Sequence, residues 1–199
     1  MRKETDLRQK VLKASLAVIE EGGLDRLSLR EVARKAGVSH QAPYHYFSDR
    51  EAILAAIAGD GFAKLGQSLM RAAGAGDDPV KAMEAMGKAY VDFAIRYPAY
   101  FQVMFRADAV PLERYPDVRK QEEEAFGKLV EGIDKAFTGE VPETRRGIAI
   151  AAWAMVHGLA TLILEGSLAR KAGVPKSRQK QLAEEAIGTF TSLLARRGA

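Results

Sequence analysis

Residues 28–50 read SLREVARKAGVSHQAPYHYFSDR, a pattern of helix, glycine turn, short aromatic segment and new helix start. Ser28 is a suitable N-cap for the first of these helices. The apolar side chains of that helix recur at helical spacing, and they are Leu29, Val32, Ala33 and Ala36. Gly37 suits the C′ position after the helix, because glycine tolerates a positive φ. With a second helix predicted to begin at Ser39, the pattern is typical of a helix-turn-helix, which reads DNA through the major groove.

The first residues of the second helix are the predicted base contacts. Gln41 can bond adenine at N6 and N7 together, His40 can bond a guanine, and Ala42 can touch only a thymine methyl group. Tyr44 is predicted to touch a base or the backbone. The remaining predicted DNA contacts are polar or cationic side chains nearby, mostly phosphate anchors: Ser28, Arg30, Ser39, His45, Tyr46 and Arg50. Phe47 is a predicted core residue. The alternative, that His40 and Gln41 are merely exposed loop residues, stays open.

Composition favours a globular protein without a redox or metal centre. The chain has 199 residues, of which 47% are hydrophobic and 28% charged, and it contains no cysteine and three histidines without ligand spacing. These features predict no metal and no cofactor, and no nucleophile, base and oxyanion donor can be assembled for an enzyme. No apolar run is expected to reach the roughly 18 residues of a membrane span. We therefore expect a cytoplasmic protein with no membrane partner.

Charge is placed unevenly along the chain, although the formal net charge is only +4. The first 13 residues carry five basic side chains against two acidic ones. A basic patch beside a DNA-reading helix would attract the phosphate backbone and make binding depend on salt.

Nearly every segment has helical periodicity, so we predict an all-α fold of about nine helices. An N-terminal three-helix domain with the helix-turn-helix is expected at 1–52, followed by a larger helical domain at 53–199. Ser48 with Glu51 predicts a capping box at the start of the fourth helix. The other predicted helices are 6–21, 79–96, a short aromatic segment to residue 106, 117–136, 143–170 and 176–196, and a loop is expected at 74–79.

The motifs at residues 28–54 resemble those of the TetR family of bacterial transcription regulators. The resemblance rests on Gly37-Val38-Ser39, Tyr44, His45, Phe47 and the acidic-apolar start Glu51-Ala52-Ile53-Leu54. The sequence Trp153-Ala154-Met155-Val156-His157-Gly158 is similar to a Trp-His-Gly signature of one subgroup of the family's effector domains. Two positions depart from the pattern. Pro43 stands where such proteins often have leucine, and Tyr46 where histidine is common.

The resemblance implies a ligand-responsive regulator, usually a repressor, which binds a palindromic DNA operator as a homodimer and is released by a small-molecule effector. It also implies that the larger helical domain at 53–199 is the ligand-binding and dimerisation domain. Aromatic and methionine side chains suit a largely apolar effector pocket. The candidates are Tyr90, Phe93, Tyr97, Phe101, Met104, Phe105, Phe126, Trp153 and His157. Any of them could instead be ordinary core, and His157 could be a satisfied core or interface group.

The last two long helices of the resembled family form a four-helix bundle across a two-fold axis. Here the helix predicted at 143–170 is apolar on more than one face, which calls for a second subunit. The candidate interface residues are Leu159, Leu162, Ile163, Ile187, Phe190 and Leu194. A weakly sequence-specific architectural DNA-binding protein is the alternative function, and an enzyme is the least favoured one.

Overall fold

The computed structural model describes residues 2–74 and 78–197, and within them it contains nine α-helices and no strand. The predicted all-α fold is confirmed. The helices are α1 (Arg2–Gly22), α2 (Leu29–Ala36), α3 (Arg50–Ala73), α4 (Pro79–Arg96), α5 (Pro98–Met104), α6 (Pro116–Ala136), α7 (Pro142–Leu164), α8 (Ser167–Ala172) and α9 (Gln179–Arg197). Residues 75–77 of the predicted loop and the side chains of Arg2 and Lys3 in the predicted basic patch lie outside what the structure describes.

The chain forms two compact units. The first unit comprises Met1–Phe62 and Pro98–Gln121, and the second comprises Ala63–Tyr97 and Glu122–Ala199. Helices α3 and α6 each begin in the first unit and continue into the second. The division into functional domains at 1–52 and 53–199 stays a prediction, because these units are defined by packing and not by activity.

The core of the first unit is built from the apolar faces of α1, α2 and the beginning of α3. Its most deeply buried side chains come from all three helices, and they include Val11, Val32, Ile53, Leu54 and Ile57. Phe47 is buried too, as predicted. These helices meet because each carries apolar residues at intervals of three or four, which places them on one face.

Two glycines allow α3 to lie close to the segment 98–121, which is part of the same unit. A Cβ atom on Gly61 would come within 2.5 Å of the Met104 sulfur, and one on Gly59 would collide with the Gln121 side chain. Phe62 follows directly and meets the ring of Phe105 edge-on, with 5.7 Å between ring centroids. The small residues therefore make room for a contact that larger ones would prevent.

In the second unit, α4 packs against both α7 and α9. Gly87 of α4 sits against Ile187, since a Cβ atom there would lie 3.0 Å from the Ile187 Cγ2 atom. A second cluster of this core joins α4, α6 and α7, and its buried members are Met83, Ile133, Phe137 and Ala149. This core is formed by one chain alone.

Four predicted helix boundaries are wrong. The first helix begins at Arg2 and not at residue 6. No α-helix starts at Ser39, because Ala42–His45 forms a 3₁₀ turn around Pro43, whose nitrogen has no hydrogen to donate. The helix predicted at 143–170 ends at Leu164, since Gly166 adopts a left-handed φ of 69° and α8 begins after it. Residues 176–178 form a 3₁₀ turn ahead of α9.

The predicted capping box at Ser48 is also wrong. Asp49 caps α3 instead, because its Oδ1 atom accepts a hydrogen bond of 2.8 Å from the Ala52 amide. The Ser48 hydroxyl donates to Asp49 at 3.1 Å, and the Glu51 carboxylate accepts hydrogen bonds from residues of another element.

The prediction that no apolar run is long enough for a membrane span is wrong as well. Residues 147–164 contain no Asp, Glu, Lys or Arg, so α7 meets the criterion of length and composition. This is weak evidence for a span, since a core helix of a globular protein meets the same criterion. Here α7 packs against α4, α8 and α9.

We predict that Gly61→Ala lowers the free energy of unfolding by about 1–3 kcal/mol, because the added methyl group displaces the buried Met104 side chain. Gly127→Ala is the matched control, since a Cβ atom at Gly127 of α6 meets nothing within 4 Å. That change should stabilise by about 0.5–1 kcal/mol through helix propensity. Chemical denaturation measures both, and equal stabilisation by the two variants would contradict the close approach.

Candidate nucleic-acid interface

Helix α2 has a defined beginning and end, and these set the direction of the chain that follows. The Ser28 Oγ atom accepts a hydrogen bond of 3.2 Å from the Glu31 amide. At the other end Gly37 is left-handed, with φ 63° and ψ 42°, and the Val38 amide donates to the Ala33 carbonyl at 3.1 Å. This is a Schellman ending, in which glycine is favoured because it has no side chain to clash. It turns the chain sharply into residues 39–46, hereafter the reading turn.

The reading turn is held by 3₁₀-type hydrogen bonds. The Ala42 amide donates to the Ser39 carbonyl at 3.0 Å, and the Tyr44 amide donates to the Gln41 carbonyl at 3.1 Å. Pro43 is buried, as is Phe47 just beyond the turn, so both anchor the segment to the core. The anchored segment presents a row of exposed side chains, and these are Ser39, His40, Gln41, Tyr44 and His45.

Most of the predicted base contacts thus lie together on one exposed turn. The rings of His40 and Tyr44 are neighbours, with centroids 5.9 Å apart, and Tyr44 is 48% exposed. The prediction for Ala42 is wrong, because its side chain is only 7% exposed and faces the core. In a 3₁₀ turn three residues complete one revolution, so a residue flanked by exposed neighbours can point inward.

The predicted phosphate anchors have different surroundings. Arg30 is exposed, whereas Tyr46 is half-buried. Ser28 is exposed but its oxygen already accepts the cap hydrogen bond of α2. Arg50 is half-buried, and its Nη2 atom donates to the Leu24 carbonyl at 2.9 Å, which ties the start of α3 to the turn after α1.

Helices α1 and α2 of the first unit carry several exposed cationic side chains. The guanidinium of Arg8 lies 5.4 Å from the centroid of the Phe47 ring, and Lys10 and Lys13 are exposed on the same helix. On α2 the Arg34 guanidinium binds the Glu31 carboxylate, and this hydrogen bond lowers the pKa of Glu31. This pair neutralises the charge of Arg34, whereas Arg8 is the cation that contacts Phe47 just beyond the reading turn.

Sequence reasoning missed a polar cluster at the start of α3. The Arg114 Nη1 atom donates to both oxygens of Glu51, at 2.7 and 2.8 Å, and the Tyr115 hydroxyl donates to the same carboxylate at 2.9 Å. Burial and then the bond to Glu51 raise the pKa of Tyr115 to about 12. The partners are more than 60 positions apart in the sequence, so no periodicity could have paired them.

The nine candidate effector residues fall into two groups, one in each unit. In the first unit Phe101 and Met104 are buried, and the rings of Phe101 and Phe105 lie 5.1 Å apart. The second unit holds the other six: Tyr90, Phe93, Tyr97, Phe126, Trp153 and His157. Their role in binding an effector stays a prediction.

His157 has a polar partner inside the second unit. Its Nδ1 atom lies 2.9 Å from the Tyr90 hydroxyl, and its ring lies 5.7 Å from that of Trp153. Burial lowers the pKa of His157 and raises that of Tyr90. Both groups are therefore neutral at pH 7 and share a hydrogen bond, which fits the interpretation of His157 as a satisfied interior group.

Two of the candidate interface residues are wrongly assigned. Ile187 is 1% exposed and Ile163 is 5% exposed, because both contribute to the core of their own chain. The other candidates, Leu159, Leu162, Phe190 and Leu194, are half-buried, and Leu194 packs against the cluster around Ile133. The exposed side of α7 instead carries Ile150, Ala151, Ala154 and Leu164.

Small residues continue this exposed side of α7. Cβ atoms on Gly147 or Gly158 would meet nothing within 4 Å, so the structure leaves room above both.

Among the residues that the structure describes, no group of three or more His, Cys, Asp or Glu side chains could hold a metal ion.

The capped helix α2 and the left-handed glycine match the first helix and the turn of a helix-turn-helix, and the exposed 3₁₀ segment stands where such proteins carry the recognition helix. Residues 11–57 match the family described as "Bacterial regulatory proteins, tetR family", and residues 83–190 match "Tetracyclin repressor-like, C-terminal domain". The second match covers more than half of the chain. The protein belongs to the TetR family of transcriptional regulators, as the resemblance implied.

Solved structures agree over nearly the whole chain. A protein of unknown function from Rhodococcus sp. RHA1 is 32% identical with a TM-score of 0.75, and the match covers 91% of this chain and 93% of that one. A TetR family regulator from Marinobacter aquaeolei VT8 shares the fold at 18% identity, with a TM-score of 0.69 and coverage of 94% and 96%.

Curated relatives match over shorter stretches. An uncharacterised HTH-type transcriptional regulator of Bacillus subtilis, YvdT, is 42% identical over 50 residues, which are 25% of this chain and 26% of that protein. The HTH-type transcriptional repressor KstR of Mycolicibacterium smegmatis is 29% identical over 104 residues, or 52% and 51% of the two proteins. The chain thus spans about a quarter to a half of the length of these relatives.

We predict that His157 makes stability fall in mild acid. Because burial lowers its pKa below 6.5 in the folded state, the unfolded chain takes up this proton at a higher pH than the folded chain does. The contribution of His157 is therefore complete above pH 6.5 and is lost as the pH falls toward the folded-state pKa. Thermal midpoints at pH 7.5 and about 5.5 should differ less in His157→Gln than in the wild type. His45→Gln, at an exposed position, should keep the wild-type difference.

Proposed function

We propose that the protein is a homodimeric, ligand-responsive repressor that acts in the cytoplasm. It binds a palindromic operator through two reading turns and is released by a small-molecule effector, without enzymatic activity or a cofactor. The observation that carries the proposal is the row of exposed side chains His40, Gln41 and Tyr44 on a turn anchored by Pro43 and Phe47.

Base recognition is assigned to the exposed side of the reading turn. The Gln41 amide can pair with adenine through two hydrogen bonds, and His40 can bond a guanine. A good bidentate pair discriminates against a wrong base by about 1–3 kcal/mol. The neighbouring ring of Tyr44 restricts where His40 can move, which helps to pre-organise the contact.

Phosphate contacts are assigned to the cationic and hydroxyl side chains around the turn. His45 and Tyr46 lie on it, Arg30 is exposed near the start of α2, and Arg8 lies over the Phe47 ring. Such contacts hold the protein on the duplex without reading the sequence, and they make affinity fall as salt rises. Ser28 and Arg50 already make hydrogen bonds within the protein, so only their remaining donors are available to phosphate oxygens.

Dimerisation is assigned to the exposed side of α7 together with α9. Ala151, Ala154 and Gly158 recur at helical spacing and are small enough for two helices to approach closely. Leu159, Leu162, Phe190 and Leu194 flank this stripe with half-buried side chains. Two-fold symmetry then places the reading turns about one helical turn of DNA apart, roughly 34–36 Å, or a multiple of it.

Effector binding is assigned to the aromatic residues, with a largely apolar compound as the ligand. An effector releases DNA only if it binds more tightly to a state in which the reading turns no longer match the operator. Helix α3 is the element that can carry such a change, because it begins just after the reading turn and runs from the first unit into the second.

We predict that wild-type protein selects a two-fold palindrome from random duplex DNA, and that Gln41→Ala with Tyr44→Ala does not. Both side chains are exposed, so the thermal midpoint of the variant should stay within a few degrees of the wild type. The selected sites are read by sequencing. No enrichment by a folded wild-type dimer, together with a steep salt dependence, would favour the weakly specific architectural DNA-binding protein instead.

We predict that Ala154→Glu converts the dimer into a folded monomer, because it places a charge at the centre of the small-residue stripe of α7. Gln9→Glu on α1 is the control, since it adds the same charge to an exposed site in the other unit. Sedimentation velocity gives the mass, and circular dichroism reports the fold. A dimer that survives Ala154→Glu would remove α7 from the interface.

A further inference from the structure

We propose that Glu51, Arg114 and Tyr115 are positioning residues for DNA reading. They form a junction through which the segment 98–121 sets the orientation of the reading turn. The inference rests on the proposed function in one respect, namely that the reading turn binds a specific operator. It adds three residues outside the helix-turn-helix motif, two of them far away in the sequence.

Glu51 is placed where it can control the reading turn. The turn ends at Tyr46, Phe47 follows in the core, and Asp49 caps α3 with its bond of 2.8 Å to the Ala52 amide. Glu51 is the second residue of α3, so only the short link 47–49 separates the helix from the turn. A shift in the first turn of α3 must therefore change the position of the reading side chains.

The junction holds that first turn from outside the motif. Arg114 donates to both carboxylate oxygens of Glu51, at 2.7 and 2.8 Å, and Tyr115 donates to one of them at 2.9 Å. Arg114 and Tyr115 end the turn that precedes α6. Three hydrogen bonds to one carboxylate from two adjacent residues fix the distance and the direction between α6 and α3.

The segment 98–121 contacts α3 again two helical turns after Glu51. Gly59 of α3 faces Val118 and Gln121 at the start of α6, and Gly61 faces Met104 of α5. With the junction at Glu51, the segment 98–121 contacts α3 at both ends of the stretch 50–62. Both α3 and the segment 98–121 continue along the chain into the second unit. A displacement that begins in the second unit can therefore reach the reading turn through these contacts.

The junction contributes little to stability. The Arg114 side chain is 67% exposed and that of Glu51 is 32% exposed, and ion pairs at such sites are screened by water and salt. Its loss should therefore leave the protein folded while it loosens the orientation of α3. This separates a positioning role from a structural one, because the two roles predict different results for specific and non-specific DNA.

The test compares Glu51→Gln, Tyr115→Phe and the double variant with the wild type on the selected operator and on a scrambled duplex of equal length. Removing an acidic group raises the net positive charge, so charge alone predicts tighter binding to both duplexes. The positioning role predicts the opposite for the operator: about tenfold weaker binding by the double variant, with scrambled DNA bound as well as before or better. Tyr115→Phe carries no change of charge and should weaken operator binding by itself.

Glu131→Gln is the matched control, since it removes an exposed carboxylate that pairs with Lys128 within α6. It should leave the ratio of specific to non-specific affinity at the wild-type value. An unchanged ratio in the double variant would overturn the junction, and so would a parallel loss of both affinities with a lower thermal midpoint, which indicates a structural role. If the wild type selects no operator, the proposed function fails first and the inference fails with it.

Discussion

The left-handed turn at Gly37 is the constraint on which the exposed reading turn depends. It ends α2 with φ 63° and lets the Val38 amide bond the Ala33 carbonyl, so the chain leaves the helix in one fixed direction. A side chain at this position would strain the backbone whatever space surrounds it. The position of the whole reading turn follows from this exit. Pro43 and Phe47 reach the core only along this path, and their burial holds His40, Gln41 and Tyr44 outward.

Glycine has a second use in this protein, as space between packed elements. The missing side chain of Gly61 lets Met104 pack directly against α3, and that of Gly87 lets Ile187 pack directly against α4. Each close approach joins a helix to a partner that is distant in the sequence, because the missing side chain lets backbone and side chain meet directly. Gly147 and Gly158 have no such neighbour among the residues that the structure describes. Both glycines leave space on the exposed side of α7 for a closely packed neighbour. This supports the assignment of that surface to a second subunit.

The wrong predictions about the capping box and the dimer interface have one cause, which is that a local pattern does not show which distant residues a side chain meets. Ser48 and Glu51 have the spacing of a capping box, yet Asp49 caps the helix because Glu51 bonds Arg114 and Tyr115 instead. Ile163 and Ile187 have the periodicity of an interface, yet both are buried within their own chain, where Ile187 lies against Gly87 of α4. An apolar face shows that something covers it, but periodicity alone does not distinguish a partner from the chain's own core.

What the sequence determined by itself was the helical class of the fold, most helix ends, the helix-turn-helix and the family. These follow from residue periodicity, from glycine and proline positions and from a motif, all of which act over a few residues. Only the tertiary structure decided which residues of the reading turn face outward, where the chain divides into units, and which side chains meet Glu51. Those outcomes depend on contacts between residues that are tens of positions apart. Such contacts are chosen by packing and burial, and no local pattern encodes them.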